Sequence, residues 1–326
     1  MFSNSHFNAK QPLFGLDFSK KTNKLATVTS NLSTENEIII LDCSSPNWHE
    51  YFRIPTKYPV TKVLWSPYMG NGVPDLFATT SNSLNVYSGD QGLHKATFGI
   101  NIPLSSMDWN PIDPSLIVTS SINTTCTVWD LNVEKAKTQL ISHDKEVLDV
   151  SFCGASKDIF ASCGADGSIR MFDMRSLTII YEVPNEVPLL KIDWNTVDSN
   201  YILTVPEINN EVLVIDVRYP SVPVAQLRYH RNAINDAHWC KNSGKILTCS
   251  DDNSLLVCDL LSDPSYLEFA KNQKITQNFP MSSVRKNPID SIQMDGPISN
   301  ACWSYTTPDV VAYIVNDTIY KSTLNL

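Results

Sequence analysis

A module of about 43 residues recurs along this chain, and its clearest copy spans residues 143–175. In this copy polar and apolar residues alternate over 147–152, as they do in a β-strand with two unlike faces. Apolar runs at 159–163 and 169–172 flank an Ala-Asp-Gly-Ser sequence, which is typical of a hairpin turn because Asp and Gly accept a positive φ angle. A sheet of three such strands is too small to bury its own faces, so the module must stack on copies of itself.

Two independent series of residues follow the same period. The first is an aromatic residue at the end of the first strand of each unit, and its members lie 42 to 47 residues apart until a last interval of 64. These aromatic residues are Phe18, Trp65, Trp109, Phe152, Trp194, Trp239 and Trp303. The second is the pair that ends the third strand, whose second members are Asp42, Ser88, Asp130, Asp173, Asp216, Asp259 and Lys321.

Both series predict the same fold class. A period of roughly 40–45 residues with several strands per unit is typical of a WD-repeat β-propeller. We therefore predict an all-β chain that forms a single seven-bladed propeller over residues 1–326, with four antiparallel strands in each blade. Its units are expected to end near residues 42, 88, 130, 173, 216, 259 and 321.

The last unit reaches residue 326 directly after its third strand. Closure of a propeller usually requires one blade to combine strands from both ends of the chain, so we expect the missing outer strand within residues 2–10. The interval before this unit also differs from the others. Residues 262–295 are polar, contain prolines and lack periodicity, which predicts a long surface loop. This loop is either a tolerated insertion or a segment for docking or phosphorylation.

The composition narrows the possible partners and the compartment. The chain has 25 Lys and Arg against 34 Asp and Glu, a net charge of −9, and no basic block, which argues against direct binding to nucleic acid or to an anionic membrane. No apolar run approaches the ~18 residues of a membrane span, and the polar start lacks a signal-peptide core. The eight cysteines form no C-x-x-C pair and lie mostly in apolar strand patterns. We expect a monomer with free buried thiols, located in the cytoplasm and nucleus.

Polar residues at fixed spacings predict buried hydrogen bonds inside three blades. They are His143, Ser162 and Asp166 in the fourth unit, His230, Thr248 and Asp252 in the sixth, and Thr119, Asn123 and Trp129 in the third. A His beside Asp and Ser could also suggest a catalytic triad. The positions inside a blade favour a structural network, in which buried polar atoms satisfy one another.

Two sets of polar residues on opposite rims are candidates for binding a partner. One set, Asp144, Lys145 and Arg231, precedes the fourth and sixth units. The other is an Asp-x-Arg pattern after the third strands of two neighbouring units, and it consists of Asp173, Arg175, Asp216 and Arg218. The planar fork of Arg binds carboxylates or carbonyls in pairs, which makes Arg a frequent interface hot spot. The alternative is a solvated Arg that pairs with its own Asp.

The sequence contains no G-x-S-x-G, H-E-x-x-H, P-loop or G-x-G-x-x-G motif, and we predict that the protein is not an enzyme. Propellers do support enzymes, so the fold alone does not decide this. A catalytic site in the central channel would require a cluster of strongly perturbed ionisable groups.

Several segments resemble the Transparent Testa Glabra type of WD-repeat scaffold. They are residues 138–141, 143–147, 160–162, 164–168, 170–173, 175, 178–182, 188–190, 194–195, 216–218, 223–225 and 230–231. The likeness is dense from about 105 to 260 and thin at both ends. Two features depart from the family pattern, which prefers Trp where Phe172 and Ile215 stand and has a shorter segment in place of 262–295.

The resemblance implies a non-catalytic scaffold that uses no cofactor, and the cysteine pattern, without a C-x-x-C pair, predicts no metal site. Plant members of that family assemble transcription-factor complexes, and the animal counterpart is a scaffold for DYRK-type kinases that is also associated with cullin-RING ubiquitin ligases. The expected partners are therefore a kinase, transcription regulators or a ligase adaptor. Ligase receptors of this kind use an Arg of the Asp-x-Arg pattern to meet their adaptor, so the resemblance implies such a role for Arg175 and Arg218.

Overall fold

The computed structural model describes residues 5–325 except 32–34, 46–47, 68–69, 71–73, 100, 185–186, 209, 221–222, 242 and 261–287. Within these residues the chain forms seven antiparallel sheets of four strands each. The same residues contain no helix that is long and apolar enough to cross a bilayer. The predicted all-β propeller with seven four-stranded blades is therefore confirmed.

Each blade consists of an inner, a second, a third and an outer strand. The inner strands are β2 (Leu13–Phe18), β6 (Lys62–Trp65), β10 (Leu104–Trp109), β14 (Val147–Phe152), β18 (Leu189–Trp194), β22 (Ile234–Trp239) and β26 (Ile298–Trp303). The second strands are β3 (Lys24–Thr29), β7 (Leu76–Thr80), β11 (Leu116–Ser121), β15 (Ile159–Gly164), β19 (Tyr201–Pro206), β23 (Lys245–Ser250) and β27 (Val310–Val315). All seven inner strands end at the aromatic residue that the repeat of about 43 residues predicted.

The remaining strands complete the blades. The third strands are β4 (Asn36–Asp42), β8 (Leu84–Ser88), β12 (Thr125–Asp130), β16 (Ser168–Asp173), β20 (Val212–Asp216), β24 (Ser254–Asp259) and β28 (Thr318–Thr323). The outer strands are β1 (Ser5–Asn8), β5 (His49–Thr56), β9 (His94–Phe98), β13 (Lys135–Ile141), β17 (Thr178–Pro184), β21 (Ala225–Leu227) and β25 (Asp290–Gln293).

The hydrophobic core lies between neighbouring blades. One cluster joins Val118 and Val128 of the third blade to Phe152, Phe160 and Phe172 of the fourth. Phe172 stacks on Phe160 with ring centroids 5.1 Å apart, so a Phe fills the space that the family pattern gives to Trp. Because every sheet buries its faces against two neighbours, no blade is stable alone.

The ring closes through the N-terminal strand, as predicted. Strand β1 pairs with β28 in antiparallel register, with Ser5 opposite Lys321 and Asn8 opposite Thr318. The indole N–H of Trp48, in the first blade, donates to Ser5 Oγ at 3.1 Å. The last blade therefore contains three strands from the end of the chain and one from its beginning.

The predicted loop at 262–295 is wrong at its C-terminal end. Residues 290–293 form β25, which pairs with β24 and is the outer strand of the sixth blade. Residues 262–287 of this loop lie outside the described residues. The strand is short and polar, and only Ile292 packs against a hydrophobic cluster, so no alternating pattern marked it in the sequence.

Deletion of residues 1–10 is expected to lower the melting temperature by roughly 5 °C or more, because it removes β1 and leaves the edge of β28 unpaired. Differential scanning calorimetry measures this directly. Deletion of residues 1–4 alone retains all of β1 and is the matched control. Equal melting temperatures for the two deletions would contradict closure by β1.

Candidate interaction surfaces

Hydrogen bonds inside the fourth and sixth blades join the residues that the spacing selected. In the fourth blade His143 Nε2 lies 2.8 Å from Ser162 Oγ, and its Nδ1 lies 2.9 Å from Asp166 Oδ1. The sixth blade repeats the arrangement with distances of 2.8 and 3.0 Å among His230, Thr248 and Asp252. Both His side chains are almost fully buried, so the contacts satisfy polar atoms inside the blade.

Each of these networks contains a serine that the sequence analysis missed. Ser168 Oγ lies 3.1 Å from His143 Nδ1, and Ser254 Oγ lies 3.2 Å from His230 Nδ1. Both serines follow the network Asp by two residues and also donate to it. An Asp-x-Ser pattern in the hairpin turn was the signal that could have found them.

The third blade uses a shorter version of the network. Trp129 Nε1 donates to Thr119 Oγ1 at 2.9 Å, as the spacing indicated. Asn123 does not join them, because its Oδ1 accepts from Thr125 within the same turn. A short polar side chain in a turn can satisfy its own backbone, and here the local bond replaces the expected long-range one.

The network carboxylates also fix the loops that carry candidate binding residues. Asp166 Oδ2 accepts the backbone N–H of Asp144 at 3.0 Å, and Asp252 Oδ2 accepts that of Arg231 at 2.8 Å. Burial opposes ionisation, but hydrogen bonds from the turn serines Ser168 and Ser254, these N–H donors and the adjacent histidines lower the pKa of Asp166 and of Asp252 to about 2. Burial lowers the pKa of both network histidines.

The two sets of candidate residues lie at opposite ends of the blades. His143 contacts Asp166, so the loop before β14 and the turn between β15 and β16 are at the same end as Asp144 and Lys145. Arg175 follows β16 at the other end. We call the end with Asp144, Lys145 and Arg231 the network face, and the end with Arg175 and Arg218 the arginine face.

The residues of the network face differ in their contacts. Asp144 pairs with Arg170, whose Nη2 lies 2.7 Å from Asp144 Oδ2, and the Asp144 side chain is 81% exposed. Lys145 and Arg231 are exposed. Asp144 is therefore paired with Arg170 of its own blade, whereas the side chains of Lys145 and Arg231 are exposed to solvent.

On the arginine face each Arg pairs with its own Asp. Asp173 accepts from the backbone N–H and from Nε of Arg175, both at 2.9 Å, and from Nη2 at 2.5 Å. Arg218 makes the same three bonds to Asp216 and also donates from Nη2 to the Tyr201 hydroxyl at 3.2 Å. The side chain of Arg175 is 66% exposed and that of Arg218 is 39% exposed.

This pairing holds the guanidinium groups in place and leaves part of each one available. The hydrogen bonds from Arg175 lower the pKa of Asp173 to about 2. Among the described residues, Nη1 of either arginine makes no hydrogen bond, so each guanidinium keeps donors for a partner. A guanidinium that is already oriented loses less rotamer entropy when it binds a carboxylate or carbonyl.

Charged side chains of the inner strands line the central channel, which encloses a cavity of about 140 Å³. Lys62 pairs with Asp149 at 3.0 Å and Lys191 pairs with Asp236 at 3.2 Å. Further along the channel Lys241 pairs with Asp193 at 3.2 Å. These ion pairs connect inner strands and loops of different blades.

Carboxylates of the channel also bond to the backbone of the next blade. The backbone N–H of Trp65 donates to Asp17 at 2.7 Å, and that of Phe152 donates to Asp108 at 2.7 Å. In the same way the backbone N–H of Trp239 donates to Asp193 at 2.8 Å. Ser151 does the same for Trp194 at 3.0 Å. Each of these four acceptors directly precedes the aromatic residue at the end of its own inner strand, and this polar-aromatic pair was the signal available in the sequence.

The channel contains perturbed ionisable groups, which a catalytic site in the channel would need. Burial raises the pKa of Asp17 to about 6 and raises that of Asp108, and burial lowers that of Lys20. However, both carboxylates accept an N–H from the next blade, and Lys20 Nζ lies 4.8 Å from the ring centroid of Tyr305. These contacts favour a structural role over a catalytic one. In the part of the chain that is described, no cluster of His, Cys, Asp or Glu could hold a metal ion.

The comparisons with known proteins agree with the fold and give the family. The family model for "WD domain, G-beta repeat" matches residues 134–173 and 221–259. A Dictyostelium discoideum protein, the DDB1- and CUL4-associated factor 7 homolog, is 36% identical over 324 residues, which cover 94% of this chain and 94% of that protein.

Two yeast relatives are also similar. A WD repeat-containing protein of Schizosaccharomyces pombe is 40% identical over 63% of this chain, and one of Saccharomyces cerevisiae is 32% identical over 82%. The chain spans 55% and 60% of these two relatives.

The channel residue His238 predicts a pH dependence of stability. Burial alone would lower its pKa, but Asp236 and Asp193 raise it from 6.5 to about 9. Because the folded-state pKa is the higher one, the stabilisation is complete below pH 6.5 and is lost as the pH rises through about 9. The shift corresponds to at most about 3 kcal/mol, and to less here because the side chain is 30% exposed.

The measurement is the free energy of unfolding by urea at pH 6.5 and at about pH 8.5, for the wild type and for His238→Gln. The wild type is expected to lose stability between these values, whereas the variant is expected to be less stable at pH 6.5 and less dependent on pH. Parallel pH profiles for the two proteins would contradict this prediction.

Proposed function

Because this chain belongs to the WD-repeat family that includes the DDB1- and CUL4-associated factor 7 homolog, we propose that it is a non-catalytic adaptor with one partner on each face. The arginine face meets DDB1 of a cullin-4 ubiquitin ligase. The network face holds a client protein, such as a kinase or a transcription regulator. The observation that carries the proposal is the position of the two candidate sets at opposite ends of one closed ring.

The geometry of the arginine face supports a protein interface. Arg175 and Arg218 follow equivalent strands of neighbouring blades, and each guanidinium is held by an Asp two residues before it. Oriented Arg side chains are favoured interface hot spots because they bind carboxylates or carbonyls with defined geometry. The relative that matches 94% of this chain is named for association with DDB1 and CUL4.

The network face offers a different kind of surface. Its loops are fixed by hydrogen bonds from buried carboxylates to the backbone of Asp144 and Arg231, so Lys145 and Arg231 project from a rigid base. A rigid base lowers the entropic cost of binding. A client bound here would be held on the side of the ring that faces away from the ligase.

The contacts in the channel support the non-catalytic part of the proposal. Its perturbed carboxylates accept backbone N–H groups of adjacent blades, and its lysines pair with carboxylates or lie over Tyr305. A catalytic acid or base must instead reach a substrate. An adaptor also requires no turnover of a small molecule.

Two double variants, each of which removes two positive charges from one face, test which partner binds to which face. Arg175→Gln with Arg218→Gln is expected to weaken binding of purified DDB1 by about tenfold or more, because interface Arg residues often contribute over 1.4 kcal/mol. Lys145→Gln with Arg231→Gln is expected to leave DDB1 binding unchanged and to remove client proteins that co-purify with the wild type. Isothermal titration calorimetry and affinity purification with mass spectrometry measure these effects.

The Lys145→Gln, Arg231→Gln variant should retain the wild-type melting temperature within a few degrees, since both side chains are exposed. The Arg175→Gln, Arg218→Gln variant should melt at a lower temperature, because it removes the guanidinium of Arg218 from the buried carboxylate of Asp216, so its binding is measured at a temperature where circular dichroism shows it to be folded. Unchanged DDB1 affinity in the Arg175→Gln, Arg218→Gln variant would exclude the ligase role of the arginine face. Loss of both partners by either variant would contradict the division between the faces.

A further inference from the structure

The loops that follow the inner strands of the third, fifth and seventh blades share one backbone turn. In each loop the N–H of one residue donates to the side chain three positions before it, and these donors are Asp113, Asp198 and Thr307, at 2.9, 3.1 and 3.3 Å. The carbonyl of the same residue accepts the N–H three positions after it, at 3.0, 3.1 and 3.0 Å. Thr307 therefore stands where the other two loops have an Asp.

The two Asp side chains close their turns in the same way. Asp113 Oδ1 accepts the N–H of Ser115 at 3.2 Å, and Asp198 Oδ1 accepts that of Asn200 at 3.1 Å. The hydroxyl of Ser115 also donates to Asp113 at 2.6 Å, and the two bonds from Ser115 lower the pKa of Asp113. A negative oxygen is therefore a favoured acceptor at this position of the turn.

Thr307 does not make the bond that its equivalents make. In the fourth and sixth blades a serine at the same position accepts the N–H two residues later, Ser156 at 3.3 Å and Ser243 at 3.4 Å. Among the described residues, neither the Thr307 hydroxyl nor the backbone N–H of Asp309 makes a hydrogen bond. The seventh blade therefore has an unbonded hydroxyl and, two residues later, an N–H without an acceptor in this part of the chain.

The sequence around Thr307 is that of an exposed kinase substrate. Three Ser or Thr residues of the chain directly precede a proline, and they are Ser45, Ser66 and Thr307. Ser66 is buried and Ser45 is partly buried, whereas residues 306–309 are all exposed. Proline-directed protein kinases select this dipeptide because their groove offers no acceptor for a backbone N–H after the phosphorylated residue, and proline has none. Of the three hydroxyls, that of Thr307 is the exposed one.

The loop of Thr307 lies beside a basic loop of the first blade. It follows β26 on the arginine face, and Thr306 Oγ1 donates to Asn23 Oδ1 at 3.3 Å across the junction where the last blade meets the first. The two loops, residues 19–23 and 304–309, contain two lysines and one Asp, which is a net charge of +1. A phosphate adds about −1.5 to −2 at pH 7, so the total charge of the two loops stays small.

We propose that Thr307 is phosphorylated by a proline-directed protein kinase. The Thr307 oxygen attacks the γ-phosphorus of ATP, the bond from that phosphorus to the oxygen of ADP breaks, and the hydroxyl proton passes to a base of the kinase. An oxygen of the new phosphate accepts the backbone N–H of Asp309, as the carboxylates of Asp113 and Asp198 do in their own turns. The modification completes the turn at the junction that closes the ring.

The first test is phosphopeptide mass spectrometry of the protein isolated from its own cells with phosphatase inhibitors present. A phosphate at Thr307 is expected in the wild type and should be lost in Pro308→Ala, because a kinase of this class requires the proline. Thr306→Val changes the neighbouring exposed hydroxyl and is the matched control, which should keep the phosphate. An unmodified Thr307 would overturn the proposal, and a phosphate that persists in Pro308→Ala would overturn the class of kinase.

The second test measures the turn itself by differential scanning calorimetry. Thr307→Asp supplies the carboxylate that the third and fifth blades use, and it is expected to raise the melting temperature by about 2 °C, as is phosphothreonine incorporated at position 307. Thr307→Val should melt with the wild type, because the hydroxyl that it removes makes no hydrogen bond among the described residues.

Thr306→Asp separates the bond from the added charge, since it places the same charge one residue away from the turn position. No increase in melting temperature is expected for this variant. An equal increase in Thr306→Asp and Thr307→Asp would show that charge alone is responsible and would overturn the bond to Asp309. A lower melting temperature of the phosphorylated protein would overturn it as well.

Discussion

Burial of sheet faces between neighbouring blades is the interaction on which the whole structure depends. Each blade is a four-stranded sheet that contributes residues to two hydrophobic clusters, as Phe152, Phe160 and Phe172 do with Val118 and Val128 of the blade before them. A sheet that needs both neighbours is stable only in a closed ring, and β1 provides the closure by pairing with β28. The ring therefore folds as one unit, and its loops emerge from a rigid frame.

Polar contacts complete the frame where apolar burial ends. In the channel, carboxylates of the inner strands bond to the backbone of the next blade, and lysines pair with carboxylates of other blades. Near the network face, His143 and His230 join a hydroxyl and a carboxylate inside their blades. The same carboxylates then hold the loops of Asp144 and Arg231. The hydrogen bonds of Asp166 and Asp252 thus stabilise the blades and also fix the loops that carry the candidate binding residues.

The two faces differ in how they present charge. On the arginine face each guanidinium is paired with an Asp of its own turn. On the network face Lys145 and Arg231 are exposed, while Asp144 is engaged by Arg170. A ring with distinct chemistry at its two ends can hold two different proteins at once. This property suits a protein-interaction adaptor of the family to which the chain belongs.

The repeat by itself determined the number of blades, the ends of the inner strands and the His, hydroxyl and Asp positions of the networks in the fourth and sixth blades. These features depend on local spacing, since strand alternation and hairpin turns are set by neighbours in the sequence. The spacing of the repeat failed at three points. Strand β25 is polar and is defined by its partner β24, Asn123 bonds within its own turn, and Ser168 completes a network that only the folded blade brings together. The tertiary structure alone decided that Arg175 and Arg218 pair with their own Asp residues and that Asp17 meets the backbone of Trp65, because side-chain geometry and blade packing set these contacts.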